Sequence, residues 1–419
     1  MKITVVGAGS TYTPELVEGF LIEAQTLGLR QVCLYDISES RLEIVGGLAQ
    51  RMAKAKGNPF EVILTTNRRE AITGSSFVLT QIRVGGQRAR HEDTLICLEE
   101  DVIGQETTGP AGFAKALRTI PAMLDICQDI RKYAPHAWVI NFTNPAGIVT
   151  EALLKYGGVK VIGLCNVPIG IKMNIAKRYG VSHDEVDLDY VGLNHLSWVR
   201  RIWVRGEEKT EEVLTETKTR MANIPDLGLD EEFLQALKML PSSYLRYFYL
   251  SSEMLSHLQA KETTRAQEVS EIEEVLLEKY KCPELKEKPK ELEKRGGAHY
   301  SLVALSLARD IHTNKGAKHI VNVANNGVIP SLPKESVVEV TAMVDARGAL
   351  PIVLDDLQPE IRGLVQHVNA YEDLTVEAAV KKDYGMALLA LVNNPLVNSV
   401  QKAKRLLDRF NQLHDLQLS

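Results

Sequence analysis

The chain is poor in the features that mark specialised classes. Its 419 residues carry five cysteines, Cys33, Cys97, Cys127, Cys165 and Cys282, odd in number and widely spaced. That excludes a disulfide framework and suits a reducing cytoplasm. Basic charge is not in excess: 49 Lys and Arg against 54 Asp and Glu leave a net charge of −5, so no basic stripe points to nucleic acid. No apolar run reaches the roughly 18 residues of a membrane span. No charged-then-apolar leader opens the chain, because residues 3–7 already read as a strand. Internal repeats and low-complexity linkers are absent as well. What remains is ordinary: 45% hydrophobic and 25% charged residues, enough for two or three domains with ample core. The expectation is a soluble cytoplasmic enzyme with no membrane or nucleic-acid partner.

The N-terminal half alternates strands and helices. Lys2-Ile-Thr-Val-Val-Gly-Ala-Gly-Ser-Thr11 is a β-branched strand running into a Gly-x-Gly turn, followed by a helix predicted over about Pro14–Leu27 with Gly28 as its stop. Gly7, Gly9, Ser10 and Thr11 would bring free N–H groups to a pyrophosphate at the helix start. The next strand, residues 31–36, ends in Asp36, an acid placed to hold an adenosine ribose and to disfavour the extra phosphate of NADP. The third fingerprint position, usually small, is Tyr12, so the motif is imperfect and the glycines could simply permit a tight turn. A helix over 38–56 and strands over 61–66, 76–83 and 137–144 continue the pattern, with a helix over 112–134 between the last two. Gly85-Gly-Gln-Arg-Ala-Arg90 reads as a cationic loop. Arg90 there suits an anionic or polyhydroxyl substrate, though such a loop can also merely solvate the surface. Asn144-Pro145 opens a further helix and puts an amide near the nicotinamide end.

The expected fold class is α/β: a Rossmann-like, doubly wound, mostly parallel sheet of the lactate/malate dehydrogenase kind, with an α+β second domain. The boundary is placed near residue 170, giving an NAD-binding domain over 1–170 and a substrate, metal and oligomerisation domain over 171–419. In the second half, strands flank a loop at His195, helices are predicted over 207–240 and 251–290, and Lys286–Arg295 reads as a solvated charged face broken by Gly296-Gly297. A helix over 301–314, strands over 318–344 split by Asn325-Asn-Gly327, and a helical tail over 376–418 complete the chain.

The stretch Val161-Ile-Gly-Leu-Cys-Asn-Val-Pro-Ile-Gly170 is a short strand leading to a turn, with Pro168 biasing Val167 away from helix. Cys165 and Asn166 therefore fall at the carboxyl edge of the sheet, where ligands bind. His195 follows in Gly192-Leu-Asn-His-Leu-Ser-Trp198. A cysteine and a histidine can share a divalent transition ion, with positions left for substrate oxygens. They can equally be a packed core thiol and a polar loop residue, and two such residues do not make the four-ligand pattern of structural zinc. Pro241-Ser-Ser-Tyr-Leu-Arg-Tyr-Phe-Tyr249 clusters three tyrosines, either core packing or a phenol drawn toward base chemistry by a nearby cation. Glu106, in Gly104-Gln-Glu-Thr-Thr-Gly109, is either a helix-start acid or a site carboxylate. Arg265 is either a helix charge or a contact for an anion.

Taken in order, these segments resemble glycoside hydrolase family 4, the NAD-dependent glycosidases. The resemblance rests on Gly7-Ala-Gly-Ser-Thr-Tyr-Thr-Pro14, Gly104–Gly109, Asn141-Phe-Thr-Asn-Pro145, Gly163-Leu-Cys-Asn-Val-Pro168, Gly192–Ser197, Tyr244-Leu-Arg-Tyr247 and Asn325-Asn-Gly327, spread over most of the chain. It also accounts for Tyr12, since Gly-x-Gly-Ser-x-Tyr-Thr-Pro looks like the family's own fingerprint. The resemblance implies NAD and Mn²⁺, or another divalent transition metal, as cofactors. It implies oxidation at the sugar C3, proton removal at C2, elimination of the aglycone, water addition and re-reduction, an exception to two-carboxylate hydrolysis. Carried over, Cys165 and His195 match the metal ligands, Tyr244 the base and Glu106 the carboxylate that raises its basicity. Arg90, Asn144, Asn166 and Arg265 match substrate contacts. Members acting on α-glycosides carry aspartate after the metal cysteine. Asn166 stands there instead, which favours a β-linked substrate, a 6-phospho-β-glucoside such as a phosphorylated disaccharide. The resemblance also implies a homodimer or homotetramer. The alternatives are a lactate/malate-type dehydrogenase, which the fold alone would equally allow, and another specificity within the family.

Overall fold

A computed structural model describes residues 1–216, 224, 227–296, 299–352 and 355–419. The strands, in chain order, are β1 (Lys2–Val6), β2 (Gln31–Tyr35), β3 (Glu61–Thr65), β4 (Phe77–Thr80), β5 (Trp138–Asn141), β6 (Lys160–Gly163), β7 (Val186–Leu193), β8 (Leu196–Val204), β9 (Glu207–Glu208), β10 (Leu240–Pro241), β11 (Ala317–Ala324), β12 (Val337–Asp345) and β13 (Gly348–Pro351). Among the described residues they form a nine-stranded sheet, β13-β12-β11-β6-β5-β4-β1-β2-β3, and a smaller one, β10-β8-β7, with β9 paired to β8. Strands β1 to β6 run parallel in the doubly wound order 3-2-1-4-5-6. The expected Rossmann-like α/β fold is present.

The order reverses between β1 and β4, and that switch point creates the ligand crevice. Its strands are short β-branched runs buried on both faces, as parallel strands covered by helices must be; Ile3, Val5, Val32 and Val78 are all fully buried. Helix Thr13–Glu23 starts with Pro14 in its first turn, where a missing N–H loses nothing. It ends earlier than expected, with a turn carrying the chain to Gly28 at φ +54°. Helix Glu39–Ala55 is capped by Ser38, which accepts from the Arg41 N–H at 3.4 Å.

Several expectations need correction. The segment 85–90 is not a loop: Gly85 and Gly86, at φ +81° and +64°, turn the chain directly into helix Gly86–Glu99. The buried face of that helix includes Asp93, which is paired with Arg118 and His414, so its apolar period is masked. Val167 is helical after all, because Pro168 lies in the first turn of helix Val167–Tyr179. The helix expected over 251–290 is two, Ser251–Gln259 and Arg265–Tyr280, separated by a Thr264/Gln267 capping box. The tail is three helices, Pro359–Lys381, Tyr384–Val392 and Val400–His414, restarted by Asp383 and Ser399 as N-caps. Of the helix expected over 207–240, Thr210–Glu216 and Glu231–Leu237 are observed, while residues 217–223, 225 and 226 lie outside the described residues, as does Gly297.

The nine-stranded sheet continues past residue 170, since β11 from the second half joins β6 antiparallel through Asn322 and Gly163. Gly163 permits this approach: a Cβ there would come within 2.2 Å of the Thr150 hydroxyl and 2.9 Å of Asn322. Tyr190 and Trp198, both fully buried, point to opposite faces of the β7–β8 hairpin: Tyr190 reaches Glu339 of β12 in the larger sheet, and Trp198 reaches Tyr249 on the other side. Burying an aromatic ring of that size is worth at least about 1.5–3 kcal/mol, which fixes the β7–β8 hairpin at the edge of the crevice. Among the described residues no helix is long and apolar enough to cross a membrane.

Candidate active site

A cavity of about 870 Å³ runs along the carboxyl ends of β1 and β4. At one end it is walled by Gly7, Gly9, Ser10 and Asp36, at the other by Asn144, Asn166, His195 and Tyr244, with Arg90, Glu106 and Arg265 beside them. Two expected site residues do not line it. Cys165 lies behind His195 with 2% of its surface exposed, and Thr11 is wholly buried.

The glycines are required by close approach. Gly7 adopts φ +90°, and a Cβ there would come within 3.0 Å of the Gln81 carbonyl group at the end of β4. A Cβ on Gly9 would come within 2.8 Å of the Asp36 carboxyl carbon. The Gly9 N–H donates to one Asp36 oxygen at 2.8 Å and the Ser38 N–H to the other at 2.9 Å, which orients the carboxylate along the crevice. Each oxygen keeps a lone pair for a ribose hydroxyl. Tyr12, where a small residue was expected, is buried edge-on to Tyr300 with ring centroids 6.1 Å apart. The donor set and the glycine-shaped wall fit a dinucleotide. Further along, the buried Asn144 Oδ1 has no hydrogen-bond partner among the described residues, as expected of an atom that awaits a ligand.

Cys165 and His195 converge. The hairpin turns in two residues, Asn194 and His195, with His195 at φ +64°; Gly192, at φ +139°, has no room for a Cβ beside the Leu196 carbonyl. This brings His195 Nε2 to 3.4 Å from Cys165 Sγ. The tautomer follows from the outer partners. Gln105 Oε1 accepts from the N–H groups of Thr107 and Thr108 and from the Thr107 hydroxyl, at 2.7, 2.7 and 2.8 Å. With its proton given away, the Thr107 hydroxyl accepts from His195 Nδ1–H at 2.7 Å. Nε2 is then the lone-pair nitrogen, facing the sulfur, the orientation a metal-binding imidazole needs. Burial pushes the Cys165 thiol well up and the His195 imidazole down to about 3, so neither is charged on its own. Metal–sulfur and metal–nitrogen bonds of about 2.3 and 2.1 Å put the two donors roughly 3.1–3.6 Å apart across one ion, so the pair fits a divalent metal. Among the described residues no group of three or more His, Cys, Asp or Glu is placed to hold an ion, so further ligands would be substrate or water oxygens.

Tyr244 reaches the same point from the second half. β10 pairs with β8, Pro241 opposite Trp198, and the Ser242 N–H donates to the Ser197 carbonyl at 2.9 Å. The turn Ser243–Leu245 then stacks the phenol ring of Tyr244 on the His195 imidazole, centroids 3.6 Å apart and planes 7° from parallel. The other tyrosines of the cluster serve elsewhere. Tyr249 accepts from Trp198 Nε1 at 3.2 Å, and Tyr247 lies 6.2 Å from Tyr244, facing a neighbouring cavity.

Glu106 is surrounded by cations: Arg83 at 2.5 Å, Lys115 at 3.0 Å and Arg90 at 3.1 Å. Burial alone would raise its carboxyl, but Arg83, Arg90 and Lys115 outweigh that and hold it well below the usual range. Burial, and then Arg83, push the Lys115 ammonium down to about 7. Arg265 opens helix Arg265–Tyr280, paired with Glu268 at 2.8 Å and donating to the Lys294 carbonyl at 3.1 Å.

Arg83, Lys115 and Glu339 were missed from the sequence. Glu339 is fully buried on β12 and accepts from Asn194 Nδ2 at 3.1 Å, Asn322 Nδ2 at 3.0 Å and the Tyr190 hydroxyl at 3.3 Å, which steadies the His195 turn. Burial raises its carboxyl to about 7. The signal was available for two of them: Lys115 is the lone charge in Ala111-Gly-Phe-Ala-Lys-Ala-Leu117, and Glu339 the lone charge in Val337-Val-Glu-Val340. An isolated charge inside an apolar element is buried and partnered.

A crevice with a dinucleotide-type wall, ending at an imidazole and a phenol with a thiol behind the imidazole, defines a nicotinamide-type α/β protein with a metal-capable centre. Comparison with known proteins narrows this. Residues 2–181 match the Family 4 glycosyl hydrolase and residues 190–397 the Family 4 glycosyl hydrolase C-terminal domain. The chain belongs to glycosyl hydrolase family 4. It is 46% identical over 425 aligned positions to a protein of Bacillus subtilis (strain 168) named a probable 6-phospho-beta-glucosidase, covering 99% of this chain and 96% of that one. The structure of the 6-phospho-beta glucosidase from Thermotoga maritima with manganese, NAD⁺ and glucose-6-phosphate superposes with a TM-score of 0.94 at 37% identity, covering 100% of this chain and 99% of that one. A malate dehydrogenase from Plasmodium falciparum superposes at a TM-score of 0.58 and 14% identity over 91% of this chain and 99% of that one, a likeness of fold alone.

Proposed function

We propose that the chain hydrolyses 6-phospho-β-glucosides, phosphorylated disaccharides among them, with NAD and a divalent transition metal, Mn²⁺ foremost, as cofactors. The reading rests on family membership and on one observation above all: the meeting of Cys165 Sγ, His195 Nε2 and the Tyr244 ring at the far end of a dinucleotide crevice. Bound there, the dinucleotide supplies hydride acceptance and return at the sugar C3, and the metal ion supplies polarisation of the C2 and C3 oxygens.

The chain's own groups would do the rest. Gly7, Gly9 and Ser10 cradle the pyrophosphate, Thr11 supports that turn from inside, and Asp36 takes the ribose. Cys165 and His195 hold the ion. Tyr244, fixed by its stack on His195, takes the C2 proton once C3 is a ketone, and the aglycone then leaves from C1. Water adds there before C3 is reduced again. Asn144 and Asn166 hold sugar hydroxyls, and Arg90 and Arg265 attract the 6-phosphate. Glu106 acts by holding Arg83, Arg90 and Lys115 in place, since its own charge is taken up by those three. An amide at Asn166, rather than an acid, favours the β-linkage.

We further propose a division into an NAD-binding part over 1–170 and a substrate and assembly part over 171–419, a homodimer or homotetramer, and a cytoplasmic location. All five cysteines are unpaired, which supports a reducing compartment. The test is p-nitrophenyl 6-phospho-β-glucoside with Mn²⁺, reductant and trace NAD⁺. Nitrophenol released in large excess over the NAD⁺ present, with no build-up of NADH, is the expected result. NADH formed mole for mole, or no nitrophenol, contradicts it.

A further inference from the structure

Most of the charged run 286–295 is exposed, as its composition suggested, but Lys288 and Arg295 turn inward. Helix Arg265–Tyr280 and the turn Lys290–Arg295 form a wall of the cavity opposite the Gly7–Ser10 turn. Several contacts tie this wall down. The Tyr280 hydroxyl donates to the Thr11 carbonyl at 2.7 Å. Arg51 donates to the carbonyls of Tyr280 at 2.5 Å and Leu285 at 3.0 Å. Lys288 pairs with Glu15 and Glu18 of the first helix. Inside the crevice, Glu273 holds two guanidinium groups, Arg41 at 3.3 Å and Arg295 at 3.1 Å, and Arg295 donates to the Ser10 hydroxyl at 3.3 Å. Asp36 and Glu274 line this part of the cavity as well, so the feature that bears on phosphate is the place of Arg295, on the Ser10 hydroxyl beside the helix start whose free N–H groups suit phosphate.

We infer that residues 265–296 are a strap that retains the dinucleotide from one turnover to the next, with Arg295, presented by Glu273, as the cation that meets its pyrophosphate. The inference rests on the reading that the dinucleotide is recycled. A cofactor reduced and reoxidised within one cycle gains nothing by leaving, whereas a stoichiometric dehydrogenase must exchange it every time. Closing the crevice with a segment bound to three parts of the N-terminal half slows release without touching the reacting atoms.

Release is measured on the full-length protein by stopped-flow displacement of fluorescent etheno-NAD⁺ with excess NAD⁺, with no sugar present. Arg295→Gln is expected to raise the dissociation rate at least tenfold while association changes less than threefold. Arg295→Lys, which keeps the charge, recovers most of the slow release. Lys288→Ala loosens the strap at a point outside the crevice, and both association and dissociation become faster. Dissociation within twofold of wild type in both Arg295→Gln and Lys288→Ala overturns the inference. A wild-type protein that binds no etheno-NAD⁺ overturns instead the dinucleotide reading beneath it.

Discussion

Replacing Glu106 by glutamine keeps the side chain's shape and removes the carboxylate that, among the described residues, Arg83, Arg90 and Lys115 share. Breaking a buried ion pair from one side costs about 3–5 kcal/mol. Glu106 keeps 17% exposure toward the crevice, so the low end, about 3 kcal/mol, is the better figure. Unfolding entropy of about 2.1 cal/mol/K per residue, over 419 residues, is roughly 0.9 kcal/mol/K, so the melting temperature should fall by roughly 3 °C. The pH dependence is more diagnostic than the size. Lys115 in the folded chain releases its proton at about 7, far below its unfolded value. Between the two values the unfolded state binds more protons, so its contribution to stability rises with pH in that window and is flat below it. Without Glu106 the folded value drops further, and the rise begins at lower pH. Scanning calorimetry on both proteins should show the largest gap near pH 5, narrowing as pH approaches 7 and level above. Below pH 4.5 the wild type loses its own advantage, because the Glu106 carboxyl is held low and its contribution fades as pH falls through that value. A gap under 1 °C, or one that widens from pH 5 to 8, refutes the assignment of Glu106 as the shared counter-ion.

Three further outcomes are expected. Gly9→Ala puts a Cβ within 2.8 Å of the Asp36 carboxyl carbon, so NAD⁺ affinity by fluorescence titration should fall about tenfold, near 1.4 kcal/mol; an unchanged Kd contradicts the crevice assignment. Cys165→Ser replaces a thiolate ligand with a hydroxyl, and Mn²⁺ binding followed by electron paramagnetic resonance should weaken about a hundredfold, with wild-type affinity as the contrary result. Tyr244→Phe preserves the stack on His195 and removes only the hydroxyl, so kcat should drop about 10²–10⁴-fold while metal and NAD⁺ binding stay within threefold; an undiminished kcat rules the phenol out as the base.

Local pattern made much of this legible. The β-branched strands with glycine turns, Asp36 at a strand end, and Gly192-Leu-Asn-His195 as a hairpin tip are all set by residues close in sequence, and the structure has them. Cys165 was equally visible as a strand-end residue, and its sharing an ion with His195, 30 residues on, was one of two open readings until the family resemblance favoured it. What escaped depends on distant pairing. Nothing near Asn322 says that β11 will extend the parallel sheet at Gly163. Helix Gly86–Glu99 hid because one of its buried positions is Asp93, neutralised by Arg118 from the next helix and His414 from the far end of the chain. Arg295 looked solvated because a charge run is normally so, and its counter-ion Glu273 lies on a separate helix. Buried charge is therefore where reading by hydrophobic period fails, and in this molecule it is also where the site is built.

The central claim is that the glycosidic bond is broken by proton removal at C2, after transient oxidation at C3, and not by displacement between two carboxylates. Hydrolysis of the nitrophenyl 6-phospho-β-glucoside in D₂O, with the recovered glucose 6-phosphate examined by proton NMR, tests it directly. The account predicts deuterium at C2 of the product, approaching one atom per turnover, and its loss together with nitrophenol release in Tyr244→Phe. Full hydrolysis with the C2 proton retained would contradict it.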